Sequence, residues 1–140
     1  MWMGHAHKDT DLLHAAQAVA AAPRGKAYER IIGFSLALFE HICEYRAVNR
    51  ALLGSNAEAV VRRHIHSALV AVVQEEVSLE LQKRKRRSSS VSAELLTHFL
   101  VSTFISVMTW WLNGRNPMPP RDIDAAYREL VLPCLAATFA

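Results

Sequence analysis

Residues 109–124 read TWWLNGRNPMPPRDID, and this stretch joins the end of one helix to the start of another. Two tryptophans and a leucine close an apolar helix, and Gly114 is typical of a residue that ends it. Pro119 and Pro120 predict the start of the next helix, because proline is tolerated in the first turn. Asp122 follows, near the positive end of that helix. The stretch therefore predicts two consecutive helices.

The helix before this junction, residues 91–112, carries apolar side chains all round its axis, interrupted mainly by serines and threonines. Such a helix needs cover on every side. Because a chain of this length has too few helices to supply it, we expect a twofold homodimer in which the last two long helices of each protomer form a four-helix bundle. The predicted interface residues are Val107, Trp111, Ile123, Tyr127, Leu130 and Val131.

A membrane span is the rival explanation for residues 91–112, since about 20 apolar residues cross a bilayer. Glu94 and His98 fall inside that window, and the serines and threonines lower its hydrophobicity. Trp110 and Trp111 resemble interfacial anchors, but adjacent aromatic residues at a helix end are more often packed in a core or interface. We therefore expect a protein without a membrane span.

Composition favours an all-α fold, an antiparallel helical bundle. The 140 residues are 51% hydrophobic and 21% charged, with 5 Gly and 5 Pro, and no alternating pattern typical of strands is evident. We expect residues 1–10 to be a disordered or artificially added start, and residues 11–140 to form a single helical domain.

Three helices are predicted before the apolar one. Residues 11–22 form a short alanine-rich helix, and residues 27–46 form a central helix with a wide apolar surface. A longer helix follows Ser55, which forms a predicted capping box with Glu58. This longer helix carries apolar residues at a four-residue step from position 61 to position 81.

Charge and cysteine content exclude some partners. The formal charge of +3 comes largely from the run at residues 83–87, which reads KRKRR and contains no aromatic residue for stacking bases. A solvated helix end is therefore favoured over a nucleic-acid patch.

Cys43 and Cys134 lie far apart, and no secretory leader precedes them, so we expect a reducing cytoplasm rather than a disulfide scaffold.

No motif for catalysis, metal binding or a cofactor is convincing. His64 and His66 are two residues apart, so on a helix they point in nearly opposite directions. His41 and His98 are isolated on mainly apolar helices. Glu75 and the residue after it are consecutive on the long helix and resemble a solvated edge more than a catalytic pair. We predict no enzyme, no metal and no cofactor.

A stripe of small polar residues follows one face of the apolar helix, and two uses fit it. One is close packing of another helix, with hydroxyls bonded to carbonyls of their own helix. The other is a ligand cavity, in which a few polar groups orient a molecule held by apolar walls. The stripe consists of His98, Ser102, Ser106, Thr109 and Asn113. The predicted cavity walls are Phe34, Leu38, Ile42, Tyr45, Leu69, Val73, Phe99, Ser102 and Thr103.

Several of these segments together carry a family resemblance. Residues 39–53 read FEHICEYRAVNRALL and lead into the long amphipathic helix. Residues 99–114 and 119–130 then supply the apolar helix, the glycine and the proline start. In the order and length of its elements, this chain resembles the C-terminal domain of TetR-like (tetracycline-repressor-like) transcriptional regulators. The resemblance covers residues 27–139.

That resemblance implies an all-helical sensor domain that dimerises through its last two helices and binds a small apolar or aromatic effector. It also implies that effector binding changes the separation of two DNA-reading heads. The chain departs from the family pattern because only the short helix at residues 11–22 precedes the sensor, so we expect DNA contact only through a missing N-terminal helix-turn-helix. The alternatives are a helical homodimerisation module without a ligand and an uncharacterised helical enzyme.

Overall fold

The computed structural model describes residues 27–47, 51, 55–83, 91–114 and 118–139. The ordered elements in these residues are all helices, which confirms the predicted all-α class. The helix predicted at residues 11–22 and the basic run at residues 84–87 lie outside the described residues. The helices are α1 (Ala27–Ile32), α2 (Phe34–Glu44), α3 (Asn56–Lys83), α4 (Ala93–Asn113) and α5 (Pro120–Thr138).

The central helix predicted at residues 27–46 is divided in two. α1 ends at Ile32 and α2 begins at Phe34, with Gly33 as a turn between them. Gly33 keeps right-handed backbone angles, with φ −62° and ψ −17°. Glycine has the lowest helix propensity after proline, because it loses the most backbone entropy when it is ordered. The break at this position is therefore a local effect of one residue within an otherwise continuous apolar surface.

The start of α3 confirms half of the predicted capping box. The backbone N–H of Glu58 donates to the hydroxyl of Ser55 at 3.2 Å, which satisfies one of the free donors of the first turn. The Glu58 carboxylate also forms an ion pair with Arg62, four residues further along α3, a spacing that favours such pairs on a helix.

Helix α4 begins at a serine cap and ends beside Gly114. The side chain of Ser92 accepts a hydrogen bond from the Leu95 N–H at 3.1 Å. At the other end, Gly114 donates its N–H to the Trp111 carbonyl at 3.2 Å. The backbone of Gly114 is extended, with φ −71° and ψ 146°, and does not have the left-handed angles that usually explain a glycine cap. The predicted end of the helix is correct. However, Gly114 does not adopt a backbone conformation that favours glycine over other residues.

Helix α5 begins at the proline pair, as the sequence predicted. Pro120 is its first residue, and the carbonyl of Pro119 accepts from the N–H groups of Asp122 and Ile123 at 2.9 and 3.2 Å. The indole of Trp111 links the end of α4 to the residue before the proline pair, because its Nε1–H donates to the Met118 carbonyl at 2.9 Å.

The packed helix pairs run antiparallel. On α4 and α5, Trp111 lies against Met118, whereas Leu100 is contacted by Tyr127 further along α5. The same reversal relates the first two helices to α5, because Tyr28 stacks near Phe139 at one end while residue 35 bonds residue 124 at the other. α3 packs along α4, and α1 packs on α3. The predicted antiparallel bundle is therefore confirmed within one protomer.

An aromatic cluster forms the centre of the core. The rings of Phe39 and Phe104 lie 4.6 Å apart, and Phe34 meets Phe104 edge to face at 5.3 Å. Phe39 also meets the Trp111 ring at 5.5 Å and nearly perpendicular planes. Tyr127 completes the cluster with its ring 5.6 Å from that of Phe104. All five side chains are at most 1% exposed, and such pairs contribute roughly 0.5–1.5 kcal/mol beyond the burial of their area.

A buried polar network ties α1 and α2 to α5. The hydroxyl of Ser35 donates to the carboxylate of Asp124, and Arg128 donates to the same carboxylate at 3.0 Å. Arg128 also reaches Glu29 on α1 at 3.0 Å. Burial alone lowers the pKa of Arg128, but the hydrogen bonds and charges of Asp124 and Glu29 outweigh it and raise the pKa. The guanidinium therefore remains charged and links three helices.

Helix α4 has the length and composition of a helix that could cross a membrane, and it is the one such helix among the described residues. Half of its most apolar window is buried within the protomer. Leu96, Leu100 and Phe104 lie in the core shared with the neighbouring helices. This packing is the pattern of a core helix rather than of a lipid-facing one.

The Asp124 network generates a stability prediction. Asp124→Ala should lower the free energy of unfolding by about 2 kcal/mol, because it removes the acceptor of Arg128 and Ser35, and hydrogen bonds to charged groups contribute roughly 1.5–3 kcal/mol. The measurement is urea unfolding followed by circular dichroism, at one protein concentration for all variants. Asp122→Ala, an exposed carboxylate in the first turn of α5, is the matched control and should cost under about 1 kcal/mol. Equal losses in the two variants would contradict a role for the network.

Candidate interaction surface

One face of the helix pair α4 and α5 exposes large apolar side chains. Leu95, Phe99 and Trp110 on α4 are 60%, 41% and 62% exposed, and Leu130 on α5 is 59% exposed. Their spacing on α4 follows the helical period, so they share one side of that helix. Single exposed apolar residues are normal, but a group on one face marks a surface that contacts something else.

Tyr127 sets the position of α5 beside this face. Its hydroxyl donates to the Leu100 carbonyl at 2.8 Å, and its ring is fully buried in the aromatic cluster. Burial raises the pKa of the Tyr127 hydroxyl well above its ordinary value, with a smaller contribution from the charge of Asp124. The hydroxyl is therefore protonated at neutral pH and can donate to the Leu100 carbonyl.

With α5 held there, an open groove remains between the two helices, which we name the α4–α5 groove. It has a volume of about 480 Å³ and a mainly apolar surface. Its lining combines small side chains with large apolar ones. Its lining is Phe99, Ser102, Thr103, Ser106, Val107, Trp110, Ile123, Ala126 and Leu130.

A second groove lies on the other side of α4, against α3, and we name it the α3–α4 groove. It has a volume of about 350 Å³, and its α3 side is basic. Ser102 and Ser106 line both grooves, so these two residues form a narrow ridge between them. The residues lining the α3–α4 groove are Ala59, Arg62, Arg63, His66, Ser102, Ile105 and Ser106.

The predicted cavity walls are separated into two groups. Five of them, on α2 and α3, are at most 3% exposed and pack in the main core: Phe34, Leu38, Ile42, Leu69 and Val73. Tyr45, at the end of α2, is partly exposed, and its ring lies 4.9 Å from that of His41. The other three, Phe99, Ser102 and Thr103, line the α4–α5 groove. The nine residues do not surround one space.

The predicted interface residues are also divided. Trp111, Tyr127 and Val131 are at most 1% exposed within a single protomer and pack in its core. Ile123 is equally buried but also contributes to the lining of the open groove, together with Val107 and Leu130. The helical pattern located the two helices, but it did not distinguish their inner face from their outer one.

The polar stripe on α4 faces outward. His98, Ser102, Ser106 and Asn113 are exposed, and Thr109 is half-buried. The hydroxyl that bonds back to its own helix belongs instead to a residue inside the bundle, Thr97, which donates to the Ala93 carbonyl at 2.7 Å. The stripe therefore belongs to an outer surface of the protomer rather than to its interior.

Sequence reasoning missed two features of this region. The sequence pattern did not separate Trp110 from Trp111, which were expected together in a core or interface: Trp111 is buried, whereas Trp110 is the most exposed of the described large apolar side chains. His98, which the sequence presents as isolated, lies beside His66 of α3 with ring centroids 5.8 Å apart. Trp110 follows Ser102 and Ser106 at the helical period, which was the available signal. The histidine pair depends on how α3 and α4 pack, which no local pattern contains.

We find no arrangement for metal binding among the described residues, where no group of three or more His, Cys, Asp or Glu side chains is close enough to hold an ion. The consecutive carboxylates Glu75 and Glu76 on α3 likewise show no arrangement typical of a catalytic pair. Burial raises the pKa of Glu76, and the charge of Arg30 opposes this effect. Glu76 lies on α3 away from both grooves.

Comparison with known families gives a match to a family of transcriptional regulators. A family model described as a transcriptional regulator C-terminal region, of the TetR type, matches residues 29–131. That range extends from α1 to the middle of α5 and includes both grooves. Neither the curated proteins nor the solved structures contain a match to this chain.

The Tyr127 contact generates a second prediction. Tyr127→Phe should lower the free energy of unfolding by about 1 kcal/mol, because it removes one buried hydrogen bond and keeps the ring. Chemical denaturation at a fixed protein concentration measures the difference. Tyr28→Phe is the control, since the Tyr28 ring is half-buried against Phe139, and this change should be close to neutral. A neutral Tyr127→Phe would mean that ring packing alone positions α5.

Proposed function

The chain belongs to the TetR-type family of transcriptional regulator C-terminal regions, and from that premise we propose that it is the dimerisation and effector-binding domain of such a regulator. Two copies associate through α4 and α5 of each protomer. An effector then alters the arrangement of the two copies, and through it the spacing of the DNA-reading units that they carry. We propose a cytoplasmic location and no catalytic activity.

The exposed apolar face of α4 and α5 is the observation that carries the proposal. Phe99, Trp110 and Leu130 surround a mainly apolar groove that no other described part of the protomer covers. The fully buried centre of a homodimer interface is typically about 65% apolar and rich in aromatic residues. Burying this surface against a second copy removes it from water, and the hydrophobic gain grows with the apolar area covered.

The small residues of the groove favour a helix as the covering element. Ser102, Ser106 and Ala126 leave room for a neighbouring helix to approach closely. In a twofold dimer the same surface meets itself, and each large side chain of one copy can enter the groove of the other. We therefore propose a four-helix bundle made of α4 and α5 from both protomers.

Effector action requires a ligand whose affinity differs between two arrangements of the dimer, because a ligand with equal affinity for both shifts nothing. We propose a small apolar or aromatic molecule as the effector. The α4–α5 groove offers Phe99 and Thr103 to such a molecule at the edge of the proposed interface. A ligand there would contact both the protomer and its partner, which is a direct way to favour one arrangement.

A second candidate function is a homodimerisation module without an effector. The close packing of the predicted cavity walls favours it, since Phe34, Leu38 and Val73 are each at most 1% exposed and belong to one continuous core. This candidate shares the dimer and differs only in lacking an effector that shifts it. A thermal-shift screen of small aromatic and aliphatic compounds separates the two, because a ligand that binds only the folded protein raises its melting temperature.

The dimer can be tested with a single exposed residue. Leu130→Glu should convert the dimer to a monomer without unfolding the protomer, because Leu130 is 59% exposed and a charge there is desolvated only when a second copy covers it. The measurement is molar mass by light scattering after size exclusion. Leu79→Glu on α3 is the matched control, with a leucine 46% exposed outside the groove, and it should keep the mass of the unaltered protein.

Circular dichroism checks that both variants remain helical. A monomeric mass for the unaltered protein would overturn the dimer, as would a dimeric mass for Leu130→Glu. Substitution of Tyr127 or Val131 is unsuitable for this test. Both are completely buried, so a charge at either position unfolds the protomer whatever its oligomeric state.

A further inference from the structure

The α3–α4 groove combines basic and apolar chemistry in one open space of about 350 Å³. Arg62, Arg63 and His66 line its α3 side, and two serine hydroxyls line its α4 side. Pockets of roughly 300–1,000 Å³ are the usual size for small-molecule ligands. The groove is formed within one protomer, so it does not depend on the proposed dimer and goes beyond the proposed function.

The charge of the groove favours an anion. Arg62 forms an ion pair with Glu58, which partly neutralises it. Arg63 adds a second guanidinium, exposed to solvent at the groove. The groove therefore carries a net positive charge from the arginines even with Glu58 included. A guanidinium presents two parallel N–H donors that match a carboxylate.

The uncharged parts of the groove indicate what the rest of the ligand resembles. Ile105 and Ala59 supply apolar surface on α4 and α3. Ser102 and Ser106 can donate or accept hydrogen bonds on the α4 side. A molecule that matches both halves has a negatively charged head and a short apolar body.

The histidine pair adds to the polar side. The His66 ring lines the groove and lies 5.8 Å from the His98 ring, which is exposed. Each neutral imidazole has one N–H donor, and the protonated form has two. The two rings come from α3 and α4, the same two helices that form the groove.

We propose that the α3–α4 groove is a binding site for a small amphiphilic carboxylate, with the head group at Arg63 and His66 and the apolar body along Ile105 and Ala59. This site is separate from the aromatic core and from the apolar groove on the other side of α4. It assigns a chemical role to basic residues of α3 that are not members of the hydrophobic core.

The test uses octanoate as the probe, with acetate and 1-octanol as matched probes that lack the chain or the charge. Dissociation constants come from nuclear magnetic resonance titration of the whole chain. Octanoate should bind at least about tenfold more tightly than either control, since it alone can use both halves of the groove; one charge-assisted hydrogen bond corresponds to roughly that factor. Equal affinity for octanoate and 1-octanol, or for octanoate and acetate, would overturn the proposal.

Two variants locate the binding. Arg63→Gln should weaken octanoate binding about tenfold and leave 1-octanol unchanged, whereas Arg121→Gln, which removes an exposed arginine of α5, should have no effect. Ala59→Leu fills the groove from α3 and should also weaken octanoate, while Ala71→Leu at an exposed position of the same helix should not.

Both alanine positions are exposed and leucine is a good helix former, so neither change should unfold α3. Unchanged octanoate affinity in both Arg63→Gln and Ala59→Leu would place the ligand elsewhere and overturn the assignment. The mass of the unaltered protein is measured separately, so a failed dimer prediction leaves this result interpretable.

Discussion

The burial of Tyr127 between α2 and α4 is the constraint on which the other features of the fold depend. Its ring joins the aromatic cluster of α2 and α4, and its hydroxyl can satisfy a backbone carbonyl of α4 only at one position of α5 along that helix. The Asp124 network fixes the same helix one turn earlier, against α1 and α2. Because α5 is held on its inner face at both points, its outer face and that of α4 form one surface, and the α4–α5 groove lies between them.

Much of the fold could be predicted from the sequence because it rests on local chemistry. Ser55, Ser92 and the proline pair mark helix starts through hydrogen bonds or backbone angles that involve only neighbouring residues. The family resemblance rested on the order and length of these same elements, and the family match over residues 29–131 confirms it. The break at Gly33 is a smaller feature, and a single glycine within an apolar pattern did not predict it.

The site residues were harder to predict, because periodicity identifies an apolar face without showing what covers it. Ile123, Tyr127 and Val131 follow the spacing of an interface, but the spacing of a protomer core is the same. Leu130 and Trp110 are exposed, although each is next in sequence to a buried residue, Val131 and Trp111. Only the packing of the helices distinguishes the buried residues from the exposed ones. Contacts between helices, such as that of His66 with His98, depend on the register of α3 against α4. Register follows from the sum of all core contacts and has no short sequence motif.

Ser102 and Ser106 form the ridge between the two grooves, so a change at either serine affects both sides of α4. Ser102 and Ser106 belong to both grooves, one basic and facing α3, the other apolar and facing α5. Each of these two positions therefore belongs to the proposed dimer surface and to the proposed anion site at once. A bulky substitution at Ser102 or Ser106 adds volume to both spaces, so a change at either position cannot be assigned to one groove alone.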